Sequence, residues 1–136
     1  MRVIVCLDDK GGMMFNHRRQ SRDRVLIADV LSDLGDNALW ISPYSASLFD
    51  ASRVSLSVSE DFLHQADTNA TCFVEDRALM PYGEKIDSVV IYRWNRHYPG
   101  DLFCDLDPIA LGLRLTARSE FAGSSHETIT KEIYQR

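Results

Sequence analysis

Val3-Ile4-Val5-Cys6-Leu7, followed at once by Asp8-Asp9-Lys10-Gly11-Gly12, decides the fold. A strand with one wet face alternates apolar and polar residues. An unbroken apolar run is the mark of a strand covered on both faces, as in a parallel sheet. The acids and glycines behind it end it in a turn. Working outward, Leu26, Ile27, Val30, Leu31 and Leu34 recur at helical spacing, with Ser21 as a candidate cap and Gly35 as the stop. Residues 38–41 form a second buried strand, and Ser42-Pro43-Tyr44-Ser45 opens a short helix ending near Phe49. Residues 54–58 alternate apolar residues with serine, as a half-buried strand does. Residues 60–66 read as one or two helical turns. Two more apolar β-type runs, 71–74 and 89–92, flank a mostly helical 78–86 that Pro81 interrupts. The tail changes character: 113–117 and 128–134 read as strands joined around Ala122-Gly123-Ser124-Ser125, an antiparallel pair. Strands alternating with helices and closed by such a pair predict an α/β domain. Its sheet is mainly parallel, with helices on both faces and the antiparallel pair at the C-terminal edge.

The 136 residues fit a single domain, 1–136, with no repeat or linker-like tract. At 45% hydrophobic and 26% charged the chain is ordinary globular material rather than disordered. Its net charge of −5 argues against a protein that coats nucleic acid. No apolar run approaches the roughly 18 residues of a membrane span. Cys6, Cys72 and Cys104 contain no Cys-x-x-Cys pair and sit in apolar segments, which predicts reduced buried thiols and a cytoplasmic location.

Three constellations carry possible chemistry. Phe15 to Arg24 holds four arginines against one aspartate, a local charge of +3 between a glycine-rich turn and a helix start. Arginine forks beside a helix N-terminus make a receptor for phosphate or carboxylate. The competing reading is a solvated helix start paired with acids elsewhere. On the receptor reading His17, Arg18, Arg19 and Arg22 bind an anion, and Arg19→Ala changes stability by under about 0.5 kcal/mol, as surface substitutions do. The run Tyr92-Arg93-Trp94-Asn95-Arg96-His97-Tyr98-Pro99 interleaves aromatic and basic groups that can clamp a ring, with Arg93, Trp94 and Arg96 as secondary candidates. A strand leaving the core produces the same pattern, and is the favoured reading. In Ser124-Ser125-His126-Glu127 the neighbours point apart and cannot form a relay among themselves. His126 is kept as a secondary candidate that faces the sheet's functional edge beside His17 or His97. No His-x-His or His-x-x-x-His spacing occurs, so no metal is expected.

The order of these segments resembles dihydrofolate reductase along nearly the whole chain. Leu7 to Met13 looks like that family's first strand end and the start of its mobile loop. Residues 71–94 can be laid without a gap on its fifth strand, helix and sixth strand. Gly100-Asp101-Leu102-Phe103 is similar to its Gly-Asp-Thr-x-Phe-Pro, and Ser119-Glu120-Phe121 falls where it enters its last hairpin. The resemblance implies that Asp23, one place off a strict register, is the acid that orients a pterin ring, while a helix N-terminal charge is its other reading. The departures bear on cofactor. Where the family has a glycine pair that lets its backbone meet a dinucleotide pyrophosphate, this chain has Val74-Glu75-Asp76, and carboxylates repel phosphates in a partly dry site. The stretch between Phe49 and Glu60 is a strand and crossover shorter, and the family's Pro-Trp is replaced by His17-Arg18-Arg19. NADPH is therefore not expected to be held in the usual way, and the cofactor stays unassigned. The chain also resembles short bacterial proteins with the runs GGMxFNxRRQSxD, YRWNRxYP and EFxGSSHExIT, some automatically named ribonuclease Z. It lacks the His-x-His-x-Asp-His with which metallo-β-lactamase nucleases hold two zinc ions.

Open α/β sheets bind ligands outside the carboxyl ends of their strands. That places Asp8 to Met14, Ser42 to Ser45 and Val74 to Arg77 around one crevice with the arginine run, and adds Ser42, Ser45 and Arg77 to the ligand-binding set. The expected partner is a small anionic molecule, nucleotide- or pterin-like. The alternatives are an active NAD(P)H-dependent reductase and an RNA-binding or RNA-processing protein such as a ribonuclease. No membrane partner is expected, and no oligomeric state follows from the sequence.

Overall fold

A computed structural model describes residues 1–49 and 54–136. Its main sheet has seven strands. They are β1 (Arg2–Leu7), β4 (Leu39–Ile41), β5 (Leu56–Val58), β6 (Thr71–Phe73), β7 (Ser88–Arg93), β9 (Arg114–Phe121) and β10 (Ile129–Gln135), in the spatial order β5-β4-β6-β1-β7-β10-β9. The five strands from β5 to β7 run parallel; β10 is antiparallel to β7 and β9 to β10. This is the mainly parallel α/β sheet with an antiparallel C-terminal edge that the run Val3 to Leu7 predicts. β1 lies at its centre, in register Val3↔Val89 and Ile4↔Val90 with β7.

Alternation along β1 splits the core in two. Val3, Val5 and Leu7 face a cluster with Phe62, Leu63, Leu79 and Ile86. Ile4 faces the opposite cluster with Leu26, Val30, Leu34, Phe73 and Tyr92. The first face is covered by the four-residue helix α2 (Phe62–Gln65) and a 3-10 helix at Met80–Lys85, the second by α1 (Arg24–Leu34) and a 3-10 helix at Pro43–Leu48. Both faces of β1 are dry because both are roofed, which is why its sequence shows no polar stripe.

One local expectation needs correction. Ser21 does not cap α1. Asp23 does, in extended backbone at φ −149°, its carboxylate accepting the amide hydrogens of Val25 and Leu26. A short carboxylate at that position satisfies two orphan amides and meets the positive end of the helix. Beyond β1 lies a second sheet that the sequence does not announce, made of β2 (Gly12–Phe15), β3 (Arg18–Arg19) and β8 (Leu102–Phe103), ordered β3-β2-β8. Asn16 and His17 form its two-residue hairpin turn, both at positive φ (51° and 62°), the geometry of a type I′ turn. The Asp101 carboxylate fastens the tip by accepting the Asn16 amide at 3.0 Å. Among the described residues no helix is long and apolar enough to cross a membrane.

Candidate functional site

The predicted site residues gather around two hydrogen-bonded centres beyond the carboxyl ends of the parallel strands. The first is Glu75, just past β6. Arg19, on β3, grips it with both arms of its guanidinium, Nε to Oε2 at 2.8 Å and Nη2 to Oε1 at 3.0 Å. The Ser45 hydroxyl donates to Oε1 at 2.8 Å. Arg19 also lies over the Tyr44 ring at 4.6 Å, and its backbone amide donates to the Tyr44 hydroxyl. The pair is largely dry, its side chains 17% and 9% exposed. Burial works against the Arg19 charge, but Glu75 outweighs it and lifts the guanidinium above its ordinary range. Next door Asp76 accepts from the Ser42 hydroxyl at 3.1 Å and from Arg77 Nε at 3.0 Å.

This arrangement corrects the surface reading of Arg19. It is a partly buried, paired side chain, 17% exposed, so a near-neutral Arg19→Ala is no longer expected. Ser42, Ser45 and Arg77 do come together at the strand ends as predicted, but toward the chain's own Glu75 and Asp76. Arg18 and Arg22 remain exposed and meet no carboxylate among the described residues.

The second centre is Asp23. Beyond capping α1 it accepts the Ser124 amide at 3.0 Å, the Ser125 amide at 2.9 Å, the Ser125 hydroxyl and His126 Nδ1, also at 3.0 Å. Burial alone raises a carboxyl's pKa. Here these donors and the Leu26 amide overwhelm it and hold Asp23 far below the ordinary carboxylate range. All its acceptor positions are in use, so the pterin-orienting role that the resemblance implies has no free lone pair in this arrangement. His126 is buried, stacked on Trp94 at 4.6 Å. Its Nε2 meets the Tyr98 hydroxyl at 2.8 Å and the Ser21 hydroxyl at 3.2 Å. These are its ring's partners, rather than the His17 or His97 rings expected from the sequence. Sequence reading singled out Asp23 and His126 separately but missed Ser21 and Tyr98; only the polar Ser-x-Asp spacing before the helix hinted at them.

Of the remaining candidates, Trp94 belongs to the Asp23 centre through its stack on His126, and Arg93 and Arg96 lie apart. Arg93 pairs across the sheet with Glu132 at 2.6 Å, Arg96 is exposed, and Trp94 is buried as the strand-exit reading requires. Asp8 ties the strand-end turn together by accepting the Gly12 and Lys10 amides. Burial raises its carboxyl, but these bonds, with the Tyr98 amide and Gln20, bring it below its ordinary value.

The space at the site is uneven. A cavity lined by Ser21, Arg22, Asp23, Leu26, Glu75 and Trp94 has a volume of only about 20 Å³, room for one water-sized group. On one side of the β2–β3 hairpin a cleft of about 610 Å³ is lined by Met14, His17, Tyr44, Asp76, Asp101 and Leu102. On the other a cleft of about 330 Å³ is lined by Phe15, Asn16, Arg18, Arg19, Gln20, Tyr98 and Pro99. The larger carries two carboxylates. The smaller carries the free Arg18 beside aromatic surface, with Phe15 48% exposed. Among the described residues no group of three or more His, Cys, Asp or Glu converges as metal ligands would.

No protein-family model matches the chain, and no curated protein matches it in sequence. Among solved structures it is similar to dihydrofolate reductase from Enterococcus faecalis complexed with NADP(H) and RAB-propyl. The TM-score is 0.68 and the identity 14%, over 99% of this chain and 95% of that one. At that identity the likeness establishes a dihydrofolate-reductase-like fold and nothing finer.

Proposed function

We propose that this chain is a dihydrofolate-reductase-like binding domain that takes a small anionic molecule with a flat ring, nucleotide- or pterin-like, without the reductases' grip on NADPH. The observation that carries this reading is the bidentate Arg19–Glu75 pair. It fills the end of β6 with a side chain and a carboxylate where a pyrophosphate needs bare backbone. It also separates the arginines: Arg19 is consumed, while Arg18 stays free in the Phe15–Tyr98 cleft, with His17 at the hairpin tip and Arg22 nearby. A guanidinium beside aromatic faces suits a ring that carries negative charge.

The test is binding of GMP, folate and NADPH by calorimetry and thermal shift. GMP or folate is expected to bind and to raise the melting temperature. Arg18→Ala is expected to weaken binding about tenfold, near 1.4 kcal/mol, the scale of one charge-assisted contact. NADPH, followed by nicotinamide fluorescence, is expected to give no saturable binding. Saturable micromolar NADPH binding establishes instead the alternative, an active NAD(P)H-dependent reductase, toward which the solved reductase holding NADP(H) points. The RNA-processing alternative draws on exposed Arg18, Arg22 and Arg96. It requires RNA cleavage that disappears in the Arg18→Ala, Arg19→Ala double variant, and any RNA binding is expected to be weak and salt-dependent.

A further inference from the structure

The Asp23 centre does more than cap a helix. A carboxylate can only accept, so His126 Nδ1 carries the hydrogen that meets Asp23 Oδ2 at 3.0 Å. In the neutral ring this leaves the Nε2 lone pair facing the hydroxyls of Ser21, at 3.2 Å, and Tyr98, at 2.8 Å. The Trp94 ring, stacked at 4.6 Å and 24°, fixes the imidazole plane. The sequence Asp23–His126–Ser21 is thus an orienting acid, a base and a hydroxyl at hydrogen-bond spacing, recognised by geometry rather than by chain order. The acid and base are buried, with side chains 0% and 1% exposed, while Ser21 and Tyr98 are partly exposed at the rim. Tyr98 Oη lies 3.5 Å from Ser21 Oγ. Once Nε2 has taken a proton it no longer accepts from Tyr98, and the phenol hydrogen is free to turn to an oxygen developing negative charge beside the serine.

We propose that Ser21 is the nucleophile of an acyl-transfer site for short, activated acyl esters, with His126 as its base and Tyr98 as the donor to the oxyanion. The bond from Ser21 Oγ to the acyl carbon forms as the serine proton passes to His126 Nε2. The tetrahedral oxyanion takes the Tyr98 hydrogen bond. The ester C–O bond then breaks, and the leaving oxygen receives the proton from Nε2. Water attacks the acyl-serine, giving its proton to Nε2, and release of the carboxylic acid returns that proton to Ser21. The cavity of about 20 Å³ that Ser21 and Trp94 line leaves room beside the serine for one methyl-sized group, so acetyl is expected to be preferred over long chains. This site shares Tyr98 with the Arg18 cleft but does not require anion binding there.

The experiment treats the full chain with a fluorophosphonate probe, maps the label by peptide mass spectrometry, and measures p-nitrophenyl acetate and p-nitrophenyl octanoate hydrolysis. The expected result is label on Ser21, acetate turnover above background, and slower octanoate turnover. Ser21→Ala is expected to abolish both label and turnover, and Tyr98→Phe to slow turnover about 100-fold, the scale of one oxyanion donor. The circular dichroism of each variant is compared with the parent. Site mapping on the unsubstituted chain needs no variant to fold. Absence of label, label on another residue, or acetate turnover that survives in folded Ser21→Ala overturns the proposal and leaves the cluster a helix cap.

Discussion

Arg19→Ala tests the Arg19–Glu75 pair directly. The substitution removes both guanidinium arms from Glu75 and leaves that carboxylate, 9% exposed, with the Ser45 hydroxyl as its remaining donor among the described residues. Breaking a buried pair from one side costs about 3–5 kcal/mol, because the other charge stays buried and uncompensated. Arg19 is itself 17% exposed, and water can reach part of the gap, so about 2–4 kcal/mol is expected. At about 4 °C per kcal/mol for a chain of this length, the melting temperature falls by ~8–16 °C. Urea unfolding followed by Trp40 and Trp94 fluorescence gives the free energy. Removing the charge from both sides, as Arg19→Met with Glu75→Leu, restores most of the loss, since a dry ion pair and an apolar pair of similar volume differ little. A change under about 0.5 kcal/mol for Arg19→Ala refutes the reasoning and returns Arg19 to the solvated surface.

Three further outcomes follow from the same structure. Asp23 is held well below its ordinary value, so its stabilisation is complete above the unfolded value near about pH 4 and is lost as pH falls toward the folded one. Asp23→Asn should therefore flatten the acid limb of a stability–pH profile by about 2–3 kcal/mol, and an unchanged limb counts against it. A methyl added at Gly123 runs into the Asp23 carboxylate and comes within 2.9 Å of Ile129 Cδ1, so Gly123→Ala is expected to cost about 1–3 kcal/mol in urea unfolding. Burial pushes the Cys72 thiol up to about 12, and also raises Cys6 and Cys104. Alkylation by iodoacetamide at pH 8 should be slow in the native chain and rapid in urea; prompt native labelling of Cys72 contradicts this burial.

Much of the main sheet was legible because its signals are local. The run Val3 to Leu7 carries its two-sided burial in its own composition, and Leu26, Val30 and Leu34 carry theirs in spacing. The second sheet was not legible. Its strands are two to four residues long, too short for any period to show, and its hairpin uses Asn16-His17 without the glycine that usually marks such a turn. The pairing of Arg19 was not legible for a related reason: nothing near it in sequence announces Glu75, 56 residues away.

The sequence by itself determined the two-sided parallel core, the antiparallel closing pair, and the presence of arginines and carboxylates near the strand ends. Tertiary structure alone decided which of them meet. Glu75 would repel a phosphate by charge only if it stood alone, and with Arg19 it forms a neutral pair. Asp23 and His126, 103 positions apart, become one hydrogen-bonded unit only because the last hairpin packs against the start of α1. Periodicity and composition are properties of adjacent residues, whereas charge pairing and proton relay depend on distances of about 3 Å that the folded chain alone sets.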